Sequence, residues 1–318
     1  MRELGFAVRT VAGEGPVDGL VPELAIGATT PPTLAAVRDA LAGADLVIVE
    51  NLCTIPMNVP AARVVARALH RRPAILHHHD PPWQRARYAH VTDLPPDDAA
   101  WRHVTINRLT ERQMAARGIK ATTIYNGFDT DVAAGDRDAM RARLGVSADE
   151  RLVLHPVRAI ERKAIPTALA LATAAGATYW LTGPAEEGYG PTLERVLARA
   201  DTRVLRHPVA VGELADAYAA CDAVVFPSVW EGFGNPPIEA GIHRRPVAVG
   251  MYPVAAELRA LGFDWLPTDD GGAALHHAID APDTDALARN RALVEQHFSL
   301  AALRGALERL LDAAGWRP

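Results

Sequence analysis

Cysteine is nearly missing from this chain: among 318 residues only Cys53 and Cys221 occur, far apart and in no metal-type spacing. A disulfide framework is excluded, and two free thiols in a reducing compartment are expected. Long apolar runs are also lacking. No window reaches eighteen uninterrupted apolar residues, and the opening MRELGFAVRT carries an early acid without an apolar core of signal-peptide length. No transmembrane segment is expected, and the location implied is the cytoplasm. Basic charge is in deficit, with 33 Lys and Arg against 38 Asp and Glu and a formal net charge of −5. Duplex binding needs clustered cations to neutralise phosphates, so nucleic acid is not an expected partner. Lysine is scarce: Lys120 and Lys163 are the only two, and arginine supplies the remaining basic charge. Short-period repeats and low-complexity tracts are absent.

What is present is an ordinary globular composition, 49% apolar and 22% charged, in a chain long enough for two domains of about 150 residues each. Short β-rich runs alternate with Ala-rich helical patterns. FAVRTVAG from Phe6, DLVIVEN from Asp45, AILHHHD from Ala74 and ATTIYNG from Ala121 read as strands, with helical spacing in TLAAVRDALAG and VPAARVVARALH between them. The rhythm restarts at RLVLHPV from Arg151 and runs through ATYWLTG, TRVLRHP, DAVVFPS and RPVAVGM. Buried strands spaced by helices imply parallel sheets covered on both faces. The polar turn GVSADE at 145–150 separates the two series, so the expected domains are 1–148 and 149–318. A weak echo between AGADLVIVEN and AACDAVVFPS supports two similar halves, and the fold class expected is α/β, two Rossmann-like domains facing a cleft. The amphipathic tail LAALRGALERLL either covers the second domain or crosses back to the first.

In open parallel sheets ligands sit beyond the carboxyl ends of strands, so the polar residues after each strand carry the chemistry. In HPVRAIERK, Arg158 and Lys163 are placed to grip a diphosphate, one as a fork and one as a point charge. The plain alternative is a surface pair with Glu161. In VWEGFGNPPIEAG, a strand end leads through Glu231, Gly232, Phe233 and Gly234 to a helix for which Asn235 is the expected N-cap and Pro236 the first helical residue. The glycines let the backbone approach a ligand, and the helix N-terminus offers N–H groups to an anion. Glu239 lies one turn inside and leans towards that end. A carboxylate beside an anion repels it, so hydroxyl groups are the partners expected for Glu231 and Glu239. The plain alternative makes Glu231 a turn cap and Glu239 a complement to the helix dipole.

LHHHDPPWQRARY holds three consecutive histidines. Side chains alternate across a strand, so His77, His78 and His79 cannot all reach one ion, and no metal is assigned. His79, Asp80 and Trp83 at the strand end are expected to face a sugar, with Asn51 on the same side. Arg85 and Arg87 nearby hint at an anionic acceptor. YNGFD from Tyr125 is a turn signal without assigned chemistry.

These pieces in this order resemble the retaining nucleotide-sugar glycosyltransferases of family 4, which have the two-domain GT-B fold. The segments that carry the resemblance are HHHDPPWQ, YNGFD, HPVRAIERK, DAYAACDAVVFPS and EGFGNPPIEAG, and it extends from about Phe6 to Leu311. A lone E-x7-E is weak; joined to the upstream Arg and Lys it is specific. HHHDPPWQR, EGFGNPPIEAG and LRALGFDWLP resemble the mannosylglucosylglycerate synthase branch in particular. The resemblance implies a hexosyltransferase that moves a hexose from a nucleoside-diphosphate sugar to a hydroxyl of a small polar or glycoside acceptor. Arg158 and Lys163 would bind the donor diphosphate, helped by the backbone of Gly232, Phe233 and Gly234. Glu231 would contact sugar hydroxyls, Glu239 the ribose, and His79 the donor sugar and acceptor. His207 and Val209 would line the base pocket. No cofactor is required beyond the co-substrate, of GDP-mannose or UDP-/GDP-glucose type, and a divalent metal is left open.

The family opens with a strand, a Gly-rich loop and a helix, whereas this sequence begins where that helix would end. A first βα unit of roughly 30 residues is therefore expected to be missing from this sequence, through a late start, truncation or rearrangement. Two other functions share these features: a nucleotide-sugar epimerase or isomerase, and a degenerate homologue that binds sugar nucleotide without turnover. The presence of Arg158, Lys163, Glu231 and Glu239 together favours transfer.

Overall fold

A computed structural model describes all 318 residues and divides them into two compact units, Met1–Asn126 with Leu303–Pro318, and Gly127–Ala302. The strands are β1 (Val11–Ala12), β2 (Gly19–Leu20), β3 (Val47–Glu50), β4 (Ala74–His78), β5 (Trp101–Thr105), β6 (Ala121–Thr123), β7 (Leu152–His155), β8 (Thr178–Leu181), β9 (Val204–Arg206), β10 (Ala223–Phe226) and β11 (Val247–Val249). The helices are α1 (Leu34–Ala40), α2 (Val59–Leu69), α3 (Arg108–Ala115), α4 (Arg137–Leu144), α5 (Ile165–Ala174), α6 (Gly190–Leu197), α7 (Leu214–Ala220), α8 (Asn235–Ile242), α9 (Pro253–Arg259), α10 (Ala273–Asp280), α11 (Thr284–Phe298) and α12 (Leu300–Ala314). No helix is long and apolar enough to cross a membrane.

In the second unit five parallel strands run in the order β11-β10-β7-β8-β9. Every residue of β7, β8, β10 and β11 is buried, because helices cover both faces, and this is why these segments read as continuous apolar runs. β7 pairs with β8 on one side and with β10 on the other, through Val153↔Ala223 and Leu154↔Val224. Strand order reverses there, and the loops leaving β7 and β10 emerge side by side. That is the switch point where a ligand site belongs.

The boundary between units lies ahead of the polar turn at 145–150, and α4 accounts for the difference. Its Arg137 pairs with Asp222 at 2.6 Å, and Arg141 donates to the carbonyl of Ala220 at 2.7 Å. Both guanidiniums thus serve the last carbonyls of α7, where cations are favoured, and α4 belongs with the second unit.

In the first unit four parallel strands run in sequential order, β3-β4-β5-β6. FAVRTVAG forms only the two-residue β1, paired with β2 outside this sheet, and Phe6 packs against a cluster containing Ile75, Val104 and Ile124. Conversely β5 was not foreseen, since Arg102 and His103 break its apolar pattern. His103 is buried there because its ring bonds to His78 at 2.8 Å and to Asp97 at 3.0 Å. From Leu303 onward α12 belongs to this unit, with Leu310 and Leu311 buried against Ile75, Val104 and Ile124. The tail thus returns to the first unit.

Burial, complete or partial, holds several histidines in the neutral form. In the second unit burial, then the charge of Lys163, depresses His155 to about 3; burial, then Arg245 and Arg291, depresses His243 to about 4. In the first unit burial also holds His78 and His103 below the ordinary value of 6.5. A depressed histidine binds fewer protons folded than unfolded, so stability is full above about pH 6.5 and is lost as pH falls towards the folded value. Thermal melting is expected to fall by at least about 5 °C between about pH 7 and about pH 4.5. His155→Gln should flatten that slope; an unchanged slope would show that His155 does not carry it.

Candidate active site

Lys163 ends a 3-10 turn, Glu161–Lys163, in the loop after β7, and Glu231 stands in the loop after β10. The switch point brings them together. Lys163 Nζ donates to Glu231 Oε1 at 2.6 Å, and the guanidinium of Arg162 meets Oε2 at 2.5 Å. Both members of the first pair are nearly enclosed, Lys163 8% and Glu231 7% exposed. The ammonium also lies 4.9 Å from the centre of the Phe226 ring, a cation–π distance. Burial pushes Lys163 down from its ordinary value, while the Glu231 carboxylate pulls it back up. The two loops are further tied by the Val229 N–H to the carbonyl of Arg162 at 2.9 Å. Arg162 is the second cation of this cluster and was not singled out in the sequence.

Arg158 is placed differently. Its side chain is 54% exposed and pairs with Glu186 at 2.6 Å, not with Glu231. Its backbone packs closely against the loop after β8, where the Gly183 N–H donates to the Val157 carbonyl at 3.0 Å and a Cβ on Gly183 would stand 2.7 Å from Arg158 Cα.

α8 opens beside Glu231. Its cap is Gly234, at φ +100°, with no side-chain cap; Asn235 is already helical and Pro236 follows it. The expected Asn235 cap and Pro236 start are thus each displaced by one residue, because Gly234 makes the turn in a left-handed conformation open to glycine. Pro236 and Pro237 carry no N–H, so donors at this helix end come from Asn235 and the preceding loop. Phe233 fixes that loop by stacking on Phe128 and edge-on against Phe298, and its carbonyl accepts from Tyr252 at 3.3 Å.

Glu239 is half-buried one turn into α8. Tyr218 on α7 donates to its Oε2 at 2.7 Å, and Oε1 accepts no hydrogen bond from the protein. Burial raises the Glu239 pKa, and the Tyr218 bond opposes the rise. The chain therefore presents one carboxylate oxygen held and one available. Tyr218, stacked on His243 at 4.8 Å, carries no motif that would have marked it. His207 and Val209 lie beyond β9; the His207 carbonyl accepts from Trp180 at 2.8 Å and its ring faces the Pro208 carbonyl at 2.9 Å.

In the first unit the β3–β4 register sets Glu50 opposite His77. His77 Nδ1 lies 2.8 Å and His79 Nε2 3.5 Å from the same oxygen, Glu50 Oε2. His78 points to the other face, where it bonds to Thr54 and His103. Alternation therefore separates His78 from its neighbours, as expected, but sets His77 and His79 beside a carboxylate that the sequence did not connect to them. Partial desolvation raises the Glu50 pKa, but hydrogen bonds from His77 and His79 outweigh it and hold the carboxyl at about 2. Asn51, at φ +59°, accepts from the N–H groups of His79 and Asp80 at 3.0 and 3.2 Å. Asp80 is claimed by Asn51 at 3.0 Å and by Arg85 at 2.7 Å. Trp83 donates to Gln113 at 2.8 Å and has Arg117 over one ring face at 3.9 Å.

Residues 160–288, which span the Lys163–Glu231 cluster and Glu239, match the family described as "Glycosyl transferases group 1". Mannosylglucosylglycerate synthase of Petrotoga mobilis is 28% identical over 273 residues, covering 69% of this chain and 63% of that protein. The chain thus spans less than two thirds of the length of that relative. Among solved structures, HepE of Anabaena in complex with UDP-glucose is similar at a TM-score of 0.72 and 22% identity, over 89% of this chain and 82% of that one. Sucrose-phosphate synthase of Thermosynechococcus elongatus is similar at 0.70 and 22%, over 88% and 77%. The fold is GT-B, and the resemblance read from the motifs is to this group.

Proposed function

We propose that the chain is a retaining glycosyltransferase that moves a hexose from a nucleoside-diphosphate sugar to a hydroxyl of a small polar or glycoside acceptor. The observation that carries this is the buried Lys163–Glu231–Arg162 cluster at the switch point, set against the Gly232–Gly234 loop and one helical turn from Glu239. Lys163, Arg158 and the loop backbone take the donor diphosphate; Arg158 exchanges its surface partner Glu186 for phosphate. Glu231 meets the sugar hydroxyls. The unclaimed oxygen of Glu239 accepts from the ribose, and the backbone around His207 and Val209 lines the base. His79, Asn51, Asp80 and Trp83 serve the acceptor side.

Departure of the leaving group builds negative charge on the diphosphate, and a fixed buried cation stabilises that charge most in the transition state. The acceptor hydroxyl attacks from the face the leaving group vacates, and a phosphate oxygen takes its proton. Neither glutamate is cast as a hydrolytic acid or base. The complexes of HepE with UDP-glucose and with UDP support a nucleoside-diphosphate hexose as donor class.

The test is incubation with UDP- and GDP-hexoses and a panel of polyol, glycerate and glycoside acceptors, with the anomeric configuration of product read by NMR. Transfer with retention is the expected outcome. Conversion of the sugar nucleotide without acceptor would replace this reading with epimerisation, and binding without turnover would replace it with a degenerate homologue.

A further inference from the structure

Glu50, His77 and His79 are assigned no joint role in transfer, yet their ligating atoms converge. Glu50 Oε2 is 2.8 Å from His77 Nδ1 and 3.5 Å from His79 Nε2, and the two ring nitrogens are 3.4 Å apart. A zinc-type ion holds nitrogen and oxygen at about 2.0–2.2 Å, which puts neighbouring ligand atoms about 3.3–3.5 Å apart on a tetrahedron. Two of the three separations fall in that range, and the third needs only a small opening of the Glu50–His77 contact. The set is two imidazoles and a carboxylate, a donor set that suits first-row transition ions and leaves coordination positions open.

We propose that Glu50, His77 and His79 form a binding site for one divalent transition-metal ion of the zinc type. The main chain builds the site without the ion. Strand register sets Glu50 opposite His77, His79 follows one residue beyond the end of β4 with its ring nitrogen 3.4 Å from that of His77, and Asn51 holds the His79 N–H at 3.0 Å. Glu50 is 65% exposed, so an ion enters directly from solvent. The neighbouring His78–His103 pair makes the contrast: His78 spends both ring nitrogens on Thr54 and His103 and has none left for a metal. His77 Nε2 is buried without a partner, so the outer acceptor that usually supports a metal-bound histidine is missing there. The affinity should accordingly fall below that of a structural zinc site. The proposal does not depend on glycosyl transfer.

Untagged full chain, stripped by chelator and dialysed, is titrated with Zn²⁺ in competition with a chromophoric chelator, and separately with Co²⁺ while visible absorption is recorded. One equivalent of Zn²⁺ per chain and Co²⁺ d–d bands of a low-coordinate nitrogen–oxygen site are expected. Glu50→Gln and His77→Gln should each weaken binding at least about tenfold. His276→Gln, at a surface histidine of the second unit, should leave it unchanged. Melting curves of the metal-free variants establish that each is folded, and the Co²⁺ spectrum of the unaltered chain needs no variant. Absence of a stoichiometric site, or equal affinity in the Glu50, His77 and His276 variants, overturns the proposal.

Discussion

Glu231→Gln is expected to lower kcat/KM for transfer by about 10²–10³-fold, with Lys163→Ala falling in the same range. The buried pair explains why such a small change matters. Glutamine matches glutamate in volume and still offers Lys163 a carbonyl oxygen. Its amide, however, turns an N–H group towards the Arg162 guanidinium, which now meets a carboxylate oxygen at 2.5 Å. Two donors face each other in a nearly dry site, and the arginine must move. Lys163→Ala removes the ammonium and opens a gap against the Phe226 ring. Deleting one partner of a buried pair costs about 3–5 kcal/mol when the other charge is stranded, but Arg162 still neutralises Glu231, so the loss of stability should be smaller. The two roles therefore separate in measurement. A site that stabilises the leaving diphosphate loses kcat more than it loses melting temperature. Near-normal kcat/KM in both variants at a temperature where each is folded would remove the assignment. A loss that merely tracks unfolding would make the cluster a structural clamp.

Much of this cluster was legible in the sequence, for a physical reason. Buried parallel strands leave an unbroken apolar signature, so DAVVFPS and RLVLHPV announce their own carboxyl ends, and ligand chemistry concentrates there. Scarcity of lysine did not itself mark the site; that one of the two lysines is buried against Glu231 is visible only in the structure. What stayed hidden depends on tertiary pairing. Arg162 sits between two residues that drew notice, and only the meeting of two loops shows which carboxylate it faces. Tyr218 lies on α7, and nothing in DAYAACDA says that its hydroxyl reaches Glu239. Arg158 is the reverse case: its place after β7 was readable, but its guanidinium pairs with Glu186 on the surface.

The first unit shows the limits of period-two reasoning more sharply. Alternation along LHHHD correctly separates His78 from His77 and His79. It says nothing about the neighbouring strand, and the β3–β4 register is what supplies Glu50. β5 went unseen because His103 breaks an apolar pattern, yet a histidine can occupy a buried strand when its two nitrogens find His78 and Asp97. FAVRTVAG reads as a strand of the main sheet, but only Val11 and Ala12 are strand residues, paired with β2 outside that sheet, since a short apolar run does not record which partner strand is available.

Gly234→Ala should destabilise the second unit by about 2–5 kcal/mol, the sum of a left-handed backbone penalty and overpacking. The residue sits at φ +100°, and an added Cβ would lie 2.3 Å from Tyr252 Oη and 3.2 Å from Phe226 Cε1. Neither ring can retreat, since Phe226 and Tyr252 are buried in the core. The collision is chiefly with one atom, and that makes the explanation testable by rescue. In Tyr252→Phe the hydroxyl is gone and the nearest remaining Tyr252 atom, Cζ, stands at 3.5 Å, an ordinary contact. That change alone removes the Tyr252 hydrogen bond to the Phe233 carbonyl and costs about 1 kcal/mol. The double variant should nonetheless be at least about 1 kcal/mol more stable than the sum of the two single effects, because the steric term is counted once and then removed. Denaturant melts of the four proteins give the coupling directly. Strict additivity would mean that backbone strain, and not Tyr252, dictates glycine at 234. A melting point unchanged in Gly234→Ala would mean that the loop before α8 relaxes freely, which a diphosphate cradle built on fixed backbone donors does not allow.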